Sequence, residues 1–228
     1  MAAGKGERMR PLTLATPKPL LPIAGLSLIE TAIIQLKEKG IDDITIVTGY
    51  LSDAFLPLAR TYELNTIHNP DYDTANNIAS LYYAREKLLD TIILDGDQFI
   101  SGPEAIKNEI SQSGYCCRWN NSESKEWLLS VDEDMDITGC SREGGYRGWE
   151  LLSCSYWLAS DSQRLKALLE EEYGRRRNRD IYWDDLPIFI HSDSFRLKAY
   201  PVGHDSIIEV DTVEEYEQLS NQHKGVNL

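Results

Sequence analysis

The sequence predicts an α/β fold: a mixed, mainly parallel sheet flanked by helices, with a small β-rich extension. Three observations carry this expectation. Segments of helical and strand periodicity alternate up to about residue 113, short strand-like runs with Gly and Asp turns follow, and helices return before the end. With 228 residues and no linker, internal repeat or low-complexity tract, a single domain over 1–228 is expected, in two halves, 1–113 and 114–228.

The elements follow in order. Leu26–Lys39 is amphipathic, opened by a Ser27/Glu30 capping box and closed by Gly40. Asp43–Thr48 and Leu64–His68 read as strands around a short helix, Ser52–Thr61. Asn77–Leu89 reads as a helix with Asn76 or Asn77 as its cap. The apolar run Thr91–Leu94 has the character of a buried parallel strand and ends in Asp95-Gly96-Asp97. Tyr115–Trp119, Trp127–Val131, Asp136–Cys140 and Trp149–Leu158 are expected strands. Helices over Ser160–Tyr173 and Asp180–His191, a strand over Phe195–Pro201 and a helix over Val213–Gln222 complete the chain.

Composition narrows the function. An apolar share of 42% and a charged share of 26% suit a soluble globular protein. No stretch reaches the ~20 apolar residues of a membrane span, and no signal peptide is visible, so a cytoplasmic protein without a membrane partner is expected. Cys116, Cys117, Cys140 and Cys154 lack metal-site spacing and read as reduced, buried thiols. A net charge of −14 argues against nucleic acid as a partner. Against that background, Lys5, Arg8, Arg10 and Lys18 face only Glu7 in the first 29 residues, which suggests a focused anion site.

The segment Ala2-Ala3-Gly4-Lys5-Gly6-Glu7-Arg8-Met9-Arg10-Pro11-Leu12-Thr13 sharpens that suggestion. Two glycines flank one residue, so the backbone can turn tightly and present N–H groups to an anion. The third glycine of a dinucleotide fingerprint is missing, which argues against a Rossmann-type dehydrogenase, and no G-K-[ST] follows as in a Walker loop. Asp95-Gly96-Asp97 follows an apolar strand, where an Asp can bind magnesium or merely form a turn. Glu209-Val210-Asp211-Thr212 precedes the last helix, which Asp211 or Thr212 can cap, Asp211 being open to metal binding as well. Glu126-Trp127 and Asp180-Ile181-Tyr182-Trp183-Asp184 set aromatics beside acids, a combination that suits an organic cation as well as a buried core.

The N-terminal segment together with Thr16-Pro17-Lys18-Pro19 resembles the signature of the sugar-nucleotide pyrophosphorylase (nucleotidyltransferase) superfamily. The resemblance implies a Rossmann-like, GT-A-like nucleotidyltransferase fold with a nucleotide-binding first half and an acceptor-binding second half. It further implies nucleotide binding by Ala2, Ala3, Gly4, Lys5, Gly6, Arg8, Lys18, Asn76 and Asp95, and catalysis by Lys18, Arg8 and Asp97. Asp97 and Asp211, supported by Glu209, would hold Mg2+. That superfamily has an apolar strand before its A-A-G, so a first strand is expected to be missing from this sequence, which begins at Met1.

Over the whole chain, the Asn76-Asn77 pair, Asp95-x-Asp97, Glu126-Trp127, Tyr182-Trp183-Asp184 and Glu209-x-Asp211 are similar to bacterial choline-phosphate cytidylyltransferases. By that resemblance Trp127, Tyr182 and Trp183 would line a choline pocket with Asp180 or Asp184 facing the ammonium, and the partners would be CTP and phosphocholine. The expected reaction gives CDP-choline and pyrophosphate. A phosphate monoester is already anionic at neutral pH, its second pKa being ~6, so no general base is needed and His68, His191, His204 and His223 are read as structural. The alternatives are a sugar 1-phosphate or aminoalkyl phosphonate as acceptor, or a non-catalytic nucleotide-binding regulatory protein of the same fold.

Overall fold

The computed structural model describes residues 1–102 and 104–224. Helix α1 (Leu28–Glu38) starts where its cap predicts: the Glu30 carboxylate accepts from the Ser27 amide (2.7 Å) and hydroxyl (2.6 Å), satisfying donors that a helix start leaves orphaned. Strand β1 (Thr45–Thr48), helix α2 (Leu56–Tyr62) and strand β2 (Asn65–His68) follow, with a 3-10 turn (Ser52–Phe55) leading into α2. Helix α3 (Ile78–Ala84) precedes strands β3 (Thr91–Leu94), β4 (Gln98–Ile100), β5 (Gly114–Ser124), β6 (Leu128–Val131), β7 (Ile137–Ser141) and β8 (Gly145–Trp157). Helix α4 (Ala159–Leu169), strands β9 (Lys198–Pro201) and β10 (Ile207–Glu209), and helix α5 (Val213–Gln222) end the chain.

These elements group into two compact units. The first comprises Met1–Ala75, Asp95–Ile106 and Asp205–Leu228; the second comprises Asn76–Leu94 and Lys107–His204. In the first unit, β1 and β2 pair in parallel, β4 and β10 pair antiparallel, and Ala2 adds a parallel bridge to Thr48. Helix α1 is buried on two sides. Leu28 packs with Met9, Leu21, Ile23, Phe99, Val210 and Leu219, while Ile29 and Ile33 pack with Ala2, Ile46, Phe55 and Leu58. Each of the larger side chains among these stabilises the unit by about 1.5–3 kcal/mol on removal from water. The Thr31 hydroxyl accepts from the Ile100 amide (2.9 Å) and donates to the Leu28 carbonyl (2.7 Å), fixing β4 against the helix.

In the second unit a six-stranded sheet runs β9-β5-β8-β6-β7, with β3 also pairing with β8. Only the β9–β5 pair is parallel. The sheet of this protein is therefore mixed, and one strand differs from expectation: Thr91–Leu94 pairs antiparallel, with Cys154–Trp157 of β8. An apolar run reports burial on both faces and says nothing about the direction of its partner. The second difference is Asp180–His191, expected as a helix. Residues 180–182 are bent or irregular, 183–184 form a turn, and only 185–190 coils, ending in one wide turn closed by His191 N on Leu186 O (2.8 Å). Pro187 lacks an amide donor, and the Asp185 carboxylate takes the Tyr182 amide instead (2.9 Å), which competes with helix formation.

Cys116, Cys117 and Cys154 are buried and Cys140 is partly so; all four are free thiols. No helix among the described residues is long and apolar enough to cross a membrane.

At α5 the two cap candidates are resolved. Thr212 is the N-cap, its hydroxyl accepting from Glu215 N (3.2 Å) while the Glu215 carboxylate accepts from Thr212 N (2.8 Å). The Asp211 side chain is thereby left for other partners. Thr212→Ala should lower unfolding stability by about 1 kcal/mol, read from the urea midpoint.

Candidate functional site

The glycine-rich segment is anchored at its start: Ala2 N donates to Val47 O (2.8 Å) and Tyr50 N to Ala3 O (3.0 Å). The turn that follows needs Gly6, whose φ is +60°. A Cβ there would also lie 3.0 Å from Lys18 Cβ and 3.1 Å from Thr13 Cγ2. Thr13 locks the turn by donating its hydroxyl to Gly6 O (2.8 Å). At Gly4, by contrast, a Cβ would meet no protein atom within 4 Å, so a side chain there would fill open space.

Lys18 opens a 3-10 turn (Lys18–Leu20) between Pro17 and Pro19 and is nearly buried, with 9% of its side chain exposed. Its ammonium donates to Asp97 Oδ2 and Asp211 Oδ1, both at 2.7 Å. Burial works against the charged form, but the two carboxylates outweigh it and hold the Lys18 pKa above its ordinary value. Arg8 pairs with the other oxygen of Asp211 at 2.8 Å. Asp97 Oδ1 is buried with no hydrogen-bond partner. Glu209 stands beside both aspartates; burial, then the charges of Asp97, Asp211 and Asp95, push its carboxyl well above the usual range against the pull of Lys18.

Carboxylate oxygens of Asp97, Glu209 and Asp211 lie within 4.8 Å of one another. Three mutually repelling carboxylates, one with an orphaned oxygen, suit a hard divalent cation such as Mg2+. They border a cavity of about 330 Å³ whose wall also includes Ala2, Gly4, Gly6, Arg8 and Lys18. Gly96 lets the Asp95–Asp97 segment approach: its amide donates to Met1 O (2.7 Å), and a Cβ would sit 3.0 Å from Ala2 Cβ.

Other expected site residues fall elsewhere. Lys5 is ion-paired with Asp73, and Arg10 with Glu7 at 2.9 Å. Ala3 and Asp95 are not in the cavity wall. Asn76, in the second unit, donates from its backbone to Arg179 O (2.8 Å) and from its carboxamide to Asp180 O (3.3 Å). Asn77 occupies the N-cap of α3, as expected, but makes no side-chain cap bond there; its carboxamide oxygen accepts from Trp183 N (2.9 Å).

Among the second unit's aromatics, Trp127 and Tyr182 meet edge to face, with centroids 5.9 Å apart, and Tyr182 is 46% exposed. Trp183 is not with them. It is 3% exposed, stacked on Tyr115 (6.1 Å) and edge-on to Trp157 (5.8 Å), a core position. Asp184 faces Tyr115, whose phenol is pushed far up by burial and then by that carboxylate. Asp180 is exposed.

Three residues that the sequence reading missed complete this cluster. Phe189 packs edge to face on Trp127 at 5.3 Å, Asp185 is buried beneath, and Arg142 lies over both rings. Burial pushes the Asp185 carboxyl up, opposed by the Tyr182 amide and Arg142. The Asp184-Asp185 doublet was the available signal, since two adjacent acids point in different directions and only one can face solvent.

The fold and the glycine loop with its lysine and carboxylates define a nucleotidyltransferase. The family model of the MobA-like NTP transferase domain matches residues 1–179, and the chain belongs to that family. Over its full length it is 32% identical to a choline-phosphate cytidylyltransferase of Streptococcus pneumoniae, of which it covers 98%. It is also 33% identical, over 94% of its length and 88% of the relative's, to a 2-aminoethylphosphonate cytidylyltransferase of Lancefieldella rimae. The solved structure of the CTP:phosphocholine cytidylyltransferase from Streptococcus pneumoniae superimposes with a TM-score of 0.91 at 30% identity, covering 97% of this chain and 96% of that one. The inositol-1-phosphate CTP transferase from T. maritima shares the fold, with a TM-score of 0.76 at 15% identity.

Gly6→Ala should cost about 1–2 kcal/mol, because an L side chain is strained at that φ. Gly4→Ala should leave stability within about 0.5 kcal/mol. Paired urea melts test both.

Proposed function

We propose that this enzyme is a cytidylyltransferase that transfers CMP from CTP to phosphocholine, giving CDP-choline and pyrophosphate. The observation that carries the reading is the Lys18 ammonium bridging Asp97 and Asp211 beside a glycine-walled cavity. The choice of CTP and phosphocholine follows the full-length similarity to the pneumococcal enzyme.

In this reading the first unit binds the nucleotide and the metal. The loop from Ala2 to Arg8 holds the triphosphate, with its amides turned by Gly4 and Gly6, and Asp95 contributes to nucleotide binding. Asp97 and Asp211, with Glu209, hold magnesium, which when bound neutralises phosphate charge. A phosphocholine oxygen, already anionic because the second phosphate pKa is ~6, attacks the α-phosphorus of CTP. The bond from that phosphorus to the β-phosphate oxygen breaks, and pyrophosphate leaves. Lys18, kept protonated by its two aspartates, and Arg8 stabilise charge on the departing pyrophosphate. Alignment and charge neutralisation do the catalysis, and no side chain has to move a proton.

Acceptor recognition is assigned to the second unit, with Trp127 and Tyr182 offering aromatic faces to the acceptor's cation and the Asp180–Asp184 segment supporting it. A second reading, an aminoalkyl phosphonate as acceptor, is favoured by the comparable similarity to the aminoethylphosphonate enzyme.

Pyrophosphate release with magnesium, crossing CTP, UTP, dTTP and ATP against phosphocholine, phosphoethanolamine, aminoethylphosphonate and glucose 1-phosphate, separates these readings. Turnover with CTP and phosphocholine is expected; turnover only with the phosphonate moves the assignment to the second. Lys18→Ala and Asp97→Ala should each lower turnover by about two to four orders of magnitude with an unchanged circular dichroism spectrum. Near-normal rates would refute their roles. Trp127→Ala and Tyr182→Ala should raise KM for phosphocholine about tenfold while leaving KM for CTP in place.

A further inference from the structure

An organic cation is recognised by aromatic faces together with a carboxylate. In the second unit that combination exists and is already filled from within. The Asp185 side chain is 1% exposed. One of its oxygens accepts from the Tyr182 amide; the other has no aligned hydrogen bond but lies 2.6 Å from an Arg142 guanidinium nitrogen. The guanidinium carbon stands 4.1 Å from the centroid of Phe189 and 5.2 Å from that of Trp127. Both distances fall within the ~6 Å range of cation–π attraction. Trp127 thus touches Arg142 on one side and Tyr182 on another.

We propose that Arg142 is the specificity-determining residue of the acceptor site: it is the resident cation of the Trp127–Phe189–Asp185 cage, and an acceptor's ammonium group must displace it. The inference rests on the reading that Trp127 and Tyr182 take the acceptor's cation.

The geometry allows displacement. Arg142 follows β7 in the short turn to β8, and 44% of its side chain is exposed. The turn itself is pinned independently of that side chain. Ser141 donates its hydroxyl to Gly144 O (2.8 Å), and Gly144, at φ +70°, sits so close to the Ser124 backbone that no Cβ fits. The arm can leave the cage while the turn stays. Its departure strips a buried carboxylate of its cation, which is costly unless another cation arrives. The exchange therefore favours acceptors carrying a cationic group over those without one, such as sugar phosphates, and Arg142 sets the threshold an acceptor must exceed.

The test uses the full chain and needs no turnover. Tetramethylammonium chloride is titrated by calorimetry into wild type, Arg142→Gln, Arg142→Lys and the double variant Arg142→Gln/Asp185→Asn, with folding checked by circular dichroism. Loss of the competing cation should tighten tetramethylammonium binding about tenfold in Arg142→Gln. Arg142→Lys should stay near wild type, and adding Asp185→Asn should abolish the gain. KM for phosphocholine should fall in Arg142→Gln. Unchanged or weaker binding in Arg142→Gln, or an equal gain in Arg142→Lys, overturns the proposal. A higher KM for every phosphorylated acceptor also overturns it, since Arg142 would then contact the phosphate. Absence of turnover by wild type with any cationic acceptor would instead count against the proposed reaction, and it leaves the titration readable by itself.

Discussion

The Lys18 ammonium, set between Asp97 and Asp211, joins three segments separated by 79 and 193 residues of sequence. A buried ion pair adds little stability compared with apolar packing, but loss of one partner leaves uncompensated charge. The lysine's contribution is thus positional: it brings two carboxylates from distant loops to one edge of the cavity and holds them there. Glu209 shows the other side of the balance. Lys18 and Arg8 pair with the two aspartates at this edge, and Glu209 beside them is pushed far up by burial and then by the neighbouring carboxylates. A cluster of three carboxylate ligand atoms within 4.8 Å of one another has the donor chemistry that a hard divalent cation takes.

The first unit was legible because its signals are local. Gly6 is demanded by a positive φ and by the closeness of Lys18 and Thr13, and glycine spacing reports that demand directly. The caps of α1 and α5 were legible for the same reason, being decided within four residues. The competition between Asp211 and Thr212 could not be settled from sequence, because both residue types cap helices and only the position of Lys18 separates them.

The second unit was less legible because its order is non-local. The direction of Thr91–Leu94 is set by β8, more than fifty residues later, and nothing in four apolar residues encodes it. The 180–191 segment was expected as a helix, but the Asp185 carboxylate takes the Tyr182 amide and only the end of the segment coils. That change of backbone also decides which aromatics face solvent, so Tyr182 lies at the surface while Trp183 turns into the core. Arg142 and Phe189 carry no motif. Their placement emerges only when the β7–β8 turn meets the 182–189 segment.

Asn76 and Asn77 carry a consequence for how this enzyme can change. The Asn76 carboxamide accepts from the Asn77 amide at the start of α3 (2.7 Å) and donates to Asp180 O, while the Asn77 carboxamide accepts from Trp183 N rather than capping α3. The stretch that shapes the aromatic face and the first turn of a buried helix therefore share one set of hydrogen bonds. A substitution that re-aims Tyr182 also withdraws support from α3, so a new preference and a looser scaffold arrive together. Change in this segment is constrained by folding before it is constrained by chemistry. The β7–β8 turn, pinned separately by Ser141 and Gly144, can vary without that penalty.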